Sequence, residues 1–109
     1  MPIAYKTLGQ SNPSATTLTT LYTVPASTSA IVSTITVANL ATTAATYRIA
    51  IRKAGAAIAN QQYIAYDITL DANSSYTWTI GAALATTDII SVYASSATVA
   101  FNAFGSEIS

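Results

Sequence analysis

From Leu21 to Asn39 the chain runs "LYTVPASTSAIVSTITVAN", alternating apolar with small polar residues and carrying no charge. A period of two with β-branched enrichment is the pattern of strands that bury one face. Within "AIVSTITVAN" that period places Ile31, Ile35 and Val37 on one face and Val32, Thr34 and Thr36 on the other. Pro25 cannot donate to a ladder and predicts a turn just before this strand. "ATYRIAIRK" predicts the next strand, with Tyr47, Ile49 and Ile51 inward and Arg48, Ala50 and Arg52 outward. "YIAYDITL" sets Ile64, Tyr66, Ile68 and Leu70 on one face and Tyr63 on the other, and "YTWTIG" brings Tyr76, Trp78 and Ile80 together. With "TLTTLYTV", "IISVYAS" and "VAFNAFGSEI" the count reaches seven, separated by turn signals such as "DANSS" and "ALATTD". The expected fold is all-β, an antiparallel β-sandwich of about seven strands, immunoglobulin-like or jelly-roll-like. "GAAIAN" admits a helical turn, because alanine is the best helix former.

The opening "MPIAYKTLGQSNPSATT" has turn signals at Gly9, Asn12 and Pro13 and little periodicity, which predicts an extended N-terminal arm over residues 1–15 and a sandwich domain over 16–109. Arms of this kind are ordered mainly by what they lie on. Removal of residues 2–12 is therefore expected to weaken an interaction and spare the fold. The first ten residues lack the apolar core of a secretory leader, so none is expected. Thr, Ser, Asn and Pro interrupt every apolar run before the about 18 residues of a membrane helix, so no membrane partner is expected.

Composition narrows the chemistry. A chain of 109 residues is one domain. Charged residues make up 7% of it, four basic against four acidic, where about 25% is usual. Such a surface keeps no copies apart, which points to a life spent covered by partners. It also lacks the basic excess that would hold phosphates, so nucleic acid is not expected as a partner. Cysteine and histidine are both absent. That removes disulfides, the usual zinc and copper sites, thiol nucleophiles and histidine-based triads. Asp67 and Asp71 share a strand's parity and would lie roughly 13 Å apart, beyond the separations of glycosidase pairs. Asp88 is left free to approach either in the fold. Asp71 and Asn73 suit a turn better than a calcium site, which wants several carboxylates. No catalytic, cofactor or metal site is expected.

Arg48, Arg52 and Lys53 gather three of the four cationic side chains on one strand and its end. They suit an acidic patch on a partner, or pairing with Asp67 or Asp71 on a neighbouring strand. Among the aromatics, Tyr66, Trp78 and one of Phe101 and Phe104 are expected in the core, with Tyr63 the exposed ring.

The segments "LYTVPASTSAIVSTITVAN", "YRIAIR", "YIAYD" and "TDIISVYASSATVAFNAFGSEI", in this order between about Leu8 and Ile108, resemble small structural proteins of tailed bacteriophages, those of cyanobacterial phages included. The motifs "YTVPA" and "FNAFGSE" are structural signatures and mark no active site. The resemblance implies a non-enzymatic virion protein, foremost a capsid decoration (cement) protein that binds and stabilises the assembled head. It implies synthesis in the host cytoplasm, a place on the head surface, and as partners the major capsid protein and copies of the chain itself in a homotrimer. Candidate partner-binding residues are then Tyr5, Lys6 and Leu8 on the arm, with Arg48, Arg52 and Tyr63. The alternative is a tail-fibre or baseplate module that recognises host surface polysaccharide through Tyr63 or Tyr93 with Asn60, Gln61 and Gln62.

Overall fold

A computed structural model describes residues 3–109. It contains eight strands: β1 (Ile3–Ser11), β2 (Thr19–Thr23), β3 (Ser29–Asn39), β4 (Ala45–Arg52), β5 (Tyr63–Leu70), β6 (Ser75–Leu84), β7 (Ile89–Ala94) and β8 (Val99–Ile108). They form two four-stranded sheets, in the orders β1-β8-β3-β6 and β2-β7-β4-β5. Every pairing is antiparallel. Val32, Ile35, Val37 and Phe101 of the first sheet meet Tyr47, Ile49, Ile90 and Val92 of the second in one buried cluster. The edge of one ring meets the face of the other between Tyr47 and Phe101, 6.1 Å apart.

All seven expected strands are present, and the eighth is the surprise. From Ile3 to Ser11 the supposed arm is the edge strand of the first sheet, paired along β8. Its residues are mostly exposed and show no alternation, and Gly9 and Asn12 read as turn residues, so the strand does not stand out in the sequence. Residues 3–11 are thus part of a sheet rather than a free arm, and deleting residues 2–12 would strip β8 of a ladder partner. Met1 and Pro2, the first residues of the expected arm, lie outside the described residues. Where the chain leaves β1 it is held again, the Asn12 amide donating to the carbonyls of Ala97 and Val99, each at 2.9 Å.

Bulges decide which side chains face the core. β3 carries one extra residue against β8 at Ser33, since Val32 pairs with Gly105 and Thr34 with Phe104. β1 carries one at Leu8, and β6 is shifted at the same level. Each extra residue flips the side-chain parity. Ile31, expected inward, is therefore outward and 44% exposed, while Val32, expected outward, is fully buried. Leu8, expected on a partner, turns in and packs against the core. The backbones close tightly here: a Cβ on Gly105 would sit 2.0 Å from the carbonyl oxygen of Ile31.

The second sheet repeats the device. Tyr47 pairs with Ile68 and Ile49 with Ala65, so Tyr66 and Asp67 together oppose Arg48. Asp67 takes a left-handed backbone at φ 51°. Tyr66 is consequently 53% exposed rather than in the core, and it shares the outer face with Tyr63 instead of opposing it. Trp78, also expected in the core, is only partly buried against it. The segment "GAAIAN" is not helical along its length. It is flanked by single 3-10 turns at Lys53–Gly55 and Asn60–Gln62.

The two long sides of the molecule differ. β1 runs close beside β2, where a Cβ on Gly9 would lie 2.1 Å from the Leu21 carbonyl oxygen. β5 and β6 stay apart, and the opening between the sheets is bridged by Trp78, whose indole N–H donates to the Tyr47 hydroxyl at 2.8 Å.

Candidate functional site

The outer face of the first sheet carries an apolar patch. Tyr5 of β1, Ser106 of β8, Ile31 of β3 and Ala83 of β6 form one row across the four strands, fixed by the register. Tyr5 is 83% exposed, and Ile3, Ile31 and Phe104 around it are exposed as well. Tyr5, Ile31, Ser33 and Phe104 line an open depression of about 370 Å³. The bulges create this patch: Ile31 reaches the outer face only because the extra residue at Ser33 lets Val32 take its place in the core. Exposed apolar area gathered on one sheet face is the usual mark of an interaction surface.

At the rim, the Lys6 ammonium pairs with Glu107 at 2.6 Å, and the Tyr22 hydroxyl of the second sheet donates to the other carboxylate oxygen of Glu107. The Lys6 hydrogen bond, followed by that of Tyr22, holds the Glu107 carboxyl below its usual range. Burial, followed by the Glu107 hydrogen bond, pushes the Tyr22 phenol far up. Lys6 is thus committed within the chain and ties β1 to both sheets.

The outer face of the second sheet is organised around Arg48. Its Nε donates to Asp67 Oδ1 at 2.7 Å and its Nη2 to Oδ2 at 3.3 Å. Its guanidinium lies 4.2 Å from the ring centroid of Tyr66 and 4.3 Å from that of Tyr93. Cation–π stacking and the forked ion pair fix the arginine in one place. Tyr63 meets Tyr66 at 4.9 Å with the rings 82° apart, and Asn60, Tyr63 and Tyr66 line a depression of about 360 Å³.

The loop that presents Asn60 is pinned from within. Arg52 donates to the carbonyls of Ala56 at 2.7 Å and Gly55 at 3.0 Å. Gln62 is buried, accepting from the amide of Ala59 at 2.8 Å and donating to the carbonyl of Ala57 at 3.0 Å. Asp88, also buried, accepts the amides of Ala54 and Ala85 at 2.8 and 2.9 Å. It holds two loops together and stands apart from Asp67 and Asp71 in role. Asp71 and Asn73 form a turn, in which Ser74 donates to the Asp71 carbonyl at 2.7 Å and the Asn73 amide to the Ala41 carbonyl at 3.0 Å. Among the described residues no three His, Cys, Asp or Glu side chains gather as a metal site would need.

The six residues named from sequence thus fall in three places. Tyr5 and Lys6 belong to the first-sheet patch and its rim, Arg48 and Tyr63 to the second-sheet cluster, and Leu8 and Arg52 support the interior and the loop. Asp67, expected along with Asp71 as a pairing partner for Arg48, Arg52 and Lys53, is the partner of Arg48, while Ile3, Ile31, Phe104 and Tyr66 have no site role in the sequence reading. The signal for the outward turn of Tyr66 is its neighbour Asp67, a poor strand former inside a β-branched run and a residue that tolerates the left-handed region. No family model, curated protein or solved structure matches the chain.

Proposed function

We propose that the chain is a non-enzymatic virion structural protein of a tailed bacteriophage, most specifically a decoration protein bound to the outside of the assembled head. The observation that carries this reading is the strand order. We read the pairing of 1 with 8, 2 with 7, 3 with 6 and 4 with 5, distributed as β1-β8-β3-β6 over β2-β7-β4-β5, as support for an eight-stranded jelly-roll sandwich. Jelly rolls recur in viral capsid and lectin domains. A fold alone does not carry a function. Support comes from the phage-like segments and from a surface with little charge and an apolar patch around Tyr5, Ile31 and Phe104.

In this reading the first-sheet patch is the docking face for the major capsid protein and for neighbouring copies in a closed trimer, the second-sheet cluster facing away. A protein that binds only the assembled shell stabilises it by mass action. Synthesis takes place in the host cytoplasm, and neither nucleic acid nor membrane is a partner. The test is the copy number of the chain in purified virions, measured by quantitative mass spectrometry against the major capsid protein. A ratio near one, or a simple fraction of it, is expected. A few copies per particle would assign the chain to the tail, and its absence from virions would end the reading.

A further inference from the structure

We propose that the depression lined by Asn60, Tyr63 and Tyr66 on the outer face of the second sheet is a binding site for a neutral saccharide. This goes beyond the head-decoration reading and does not depend on it. The two rings stand 82° apart with centroids 4.9 Å from each other, forming a corner of two aromatic surfaces. A pyranose has an apolar C–H face and a rim of hydroxyls. Such a ring stacks on one wall of the corner, and the exposed Asn60 amide, donor and acceptor both, serves the rim. The depression, about 360 Å³, is of small-ligand size.

Charge selects against other ligands. The nearest cation, Arg48, is neutralised by Asp67 through the forked pair, so the site carries no net charge to attract an anion. A ligand cation would compete with the Arg48 guanidinium, already 4.2 Å from the Tyr66 ring centroid. An extended proline-rich peptide docks along an aromatic-lined groove, whereas Asn60, Tyr63 and Tyr66 line a short depression with two rings at one corner.

Rigidity is the second argument. Residues 54–62 have no strand partner, yet Arg52, Gln62 and Asp88 bind their backbone at Ala54, Gly55, Ala56, Ala57 and Ala59. Arg48 in turn holds the Tyr66 ring from below. So much fixing of a surface loop lowers the entropic cost of binding, because the groups that meet the ligand are already in place.

The experiment is saturation-transfer-difference NMR on the full chain with millimolar methyl glycosides of glucose, galactose, mannose, rhamnose and N-acetylglucosamine, and with a proline-rich decapeptide. Transfer to the ring C–H protons of at least one glycoside is expected, and titration should show Tyr66→Ala and Tyr63→Ala binding at least about tenfold more weakly. Tyr66→Phe should retain binding, and so should Tyr76→Ala, an exposed ring on the other sheet. If the alanine variants at the two rings fail to fold, Asn60→Ala, at an exposed position of the same depression, keeps the test decisive: it should weaken binding, and unchanged binding would overturn the proposal. No transfer to any glycoside, transfer unaffected by the folded alanine variants, or binding of the peptide alone would overturn the proposal. Virion copy number is untouched by all of these outcomes, so the two readings fail separately.

Discussion

Asp67 reaches Arg48 from a left-handed backbone, its two carboxylate oxygens 2.7 and 3.3 Å from the guanidinium. The φ of 51° is what allows two consecutive residues of β5, Tyr66 and Asp67, to flank one arginine of β4. Backbone and ion pair can be separated by substitution. Asn tolerates the left-handed region but cannot form the ion pair, so Asp67→Asn is expected to cost less than about 1 kcal/mol, as exposed pairs do. Asp67→Val keeps neither and puts a branched Cβ at positive φ, and is expected to cost roughly 2 kcal/mol or more. Urea titrations of the two variants give the ordering. Equal losses would mean that the bulge conformation is not what this position selects for.

The seven strands were legible because alternation is local, and each of them lies where its alternation runs. What the alternation could not reveal is a single extra residue. Ser33, Leu8 and Asp67 each add one, and beyond each the inward and outward sets exchange, which is why Ile31 and Val32 changed places and Tyr66 left the core. β1 was missed for a related reason: Gly9 reads as a turn, yet it is a point of close approach to β2, where no side chain fits. The candidate sites depend on register between distant strands. Tyr5 meets Ile31 across β8, and Arg48 meets Tyr93 across a β4–β7 pair, relations that no spacing along the chain encodes.

Glycine requirements differ sharply between positions. A Cβ on Gly105 would lie 2.0 Å from the Ile31 carbonyl oxygen, a backbone atom that cannot swing aside. At Gly81 a Cβ meets nothing within 4 Å, but φ is +58°. Gly105→Ala must therefore push β3 and β8 apart and is expected to cost about 3 kcal/mol or more, against about 1 to 2 kcal/mol of local strain for Gly81→Ala. Thermal midpoints of the two variants, compared side by side, check the ordering.

Trp78 makes a polar contact across the open side of the molecule. Tyr47 is fully buried and its hydroxyl accepts the Trp78 indole N–H at 2.8 Å, tying β4 of one sheet to β6 of the other. Tyr47→Phe removes the acceptor while keeping the ring that packs on Phe101. Because Trp78 is only partly buried, water can take over its N–H, so a loss of about 1 kcal/mol is expected. Trp78→Ala also removes packing against the core and is expected to cost more than twice as much. Similar losses for both would show that the hydrogen bond, rather than ring burial, holds this side closed.

Acid sensitivity should trace to two carboxylates. Glu107 is held below its usual range by the Lys6 hydrogen bond first and the Tyr22 hydroxyl second. At Asp88 burial acts in the raising direction, but the amides of Ala54 and Ala85 with the charge of Lys53 outweigh it and the carboxyl is again lowered. A carboxyl lowered in the folded state contributes stability above its unfolded value, about 4. That contribution is lost as pH falls through the folded value. Stability should be level above about pH 5 and should fall steeply below about pH 4. Glu107→Gln is expected to lower stability at pH 7 and to make the acid decline shallower, leaving the share due to Asp88. Tyr22 works at the other end: its phenol is raised, by burial first, so its contribution is complete below about pH 10 and is lost above that. Tyr22→Phe should flatten the alkaline limb and, by removing the second hydrogen bond to Glu107, make the acid decline somewhat shallower, less so than Glu107→Gln. Urea midpoints at pH 3, 7 and 11 for the parent chain and both variants separate these effects. An acid decline unchanged in Glu107→Gln would show that the Lys6–Glu107–Tyr22 contact does not fasten β1 to the sheets.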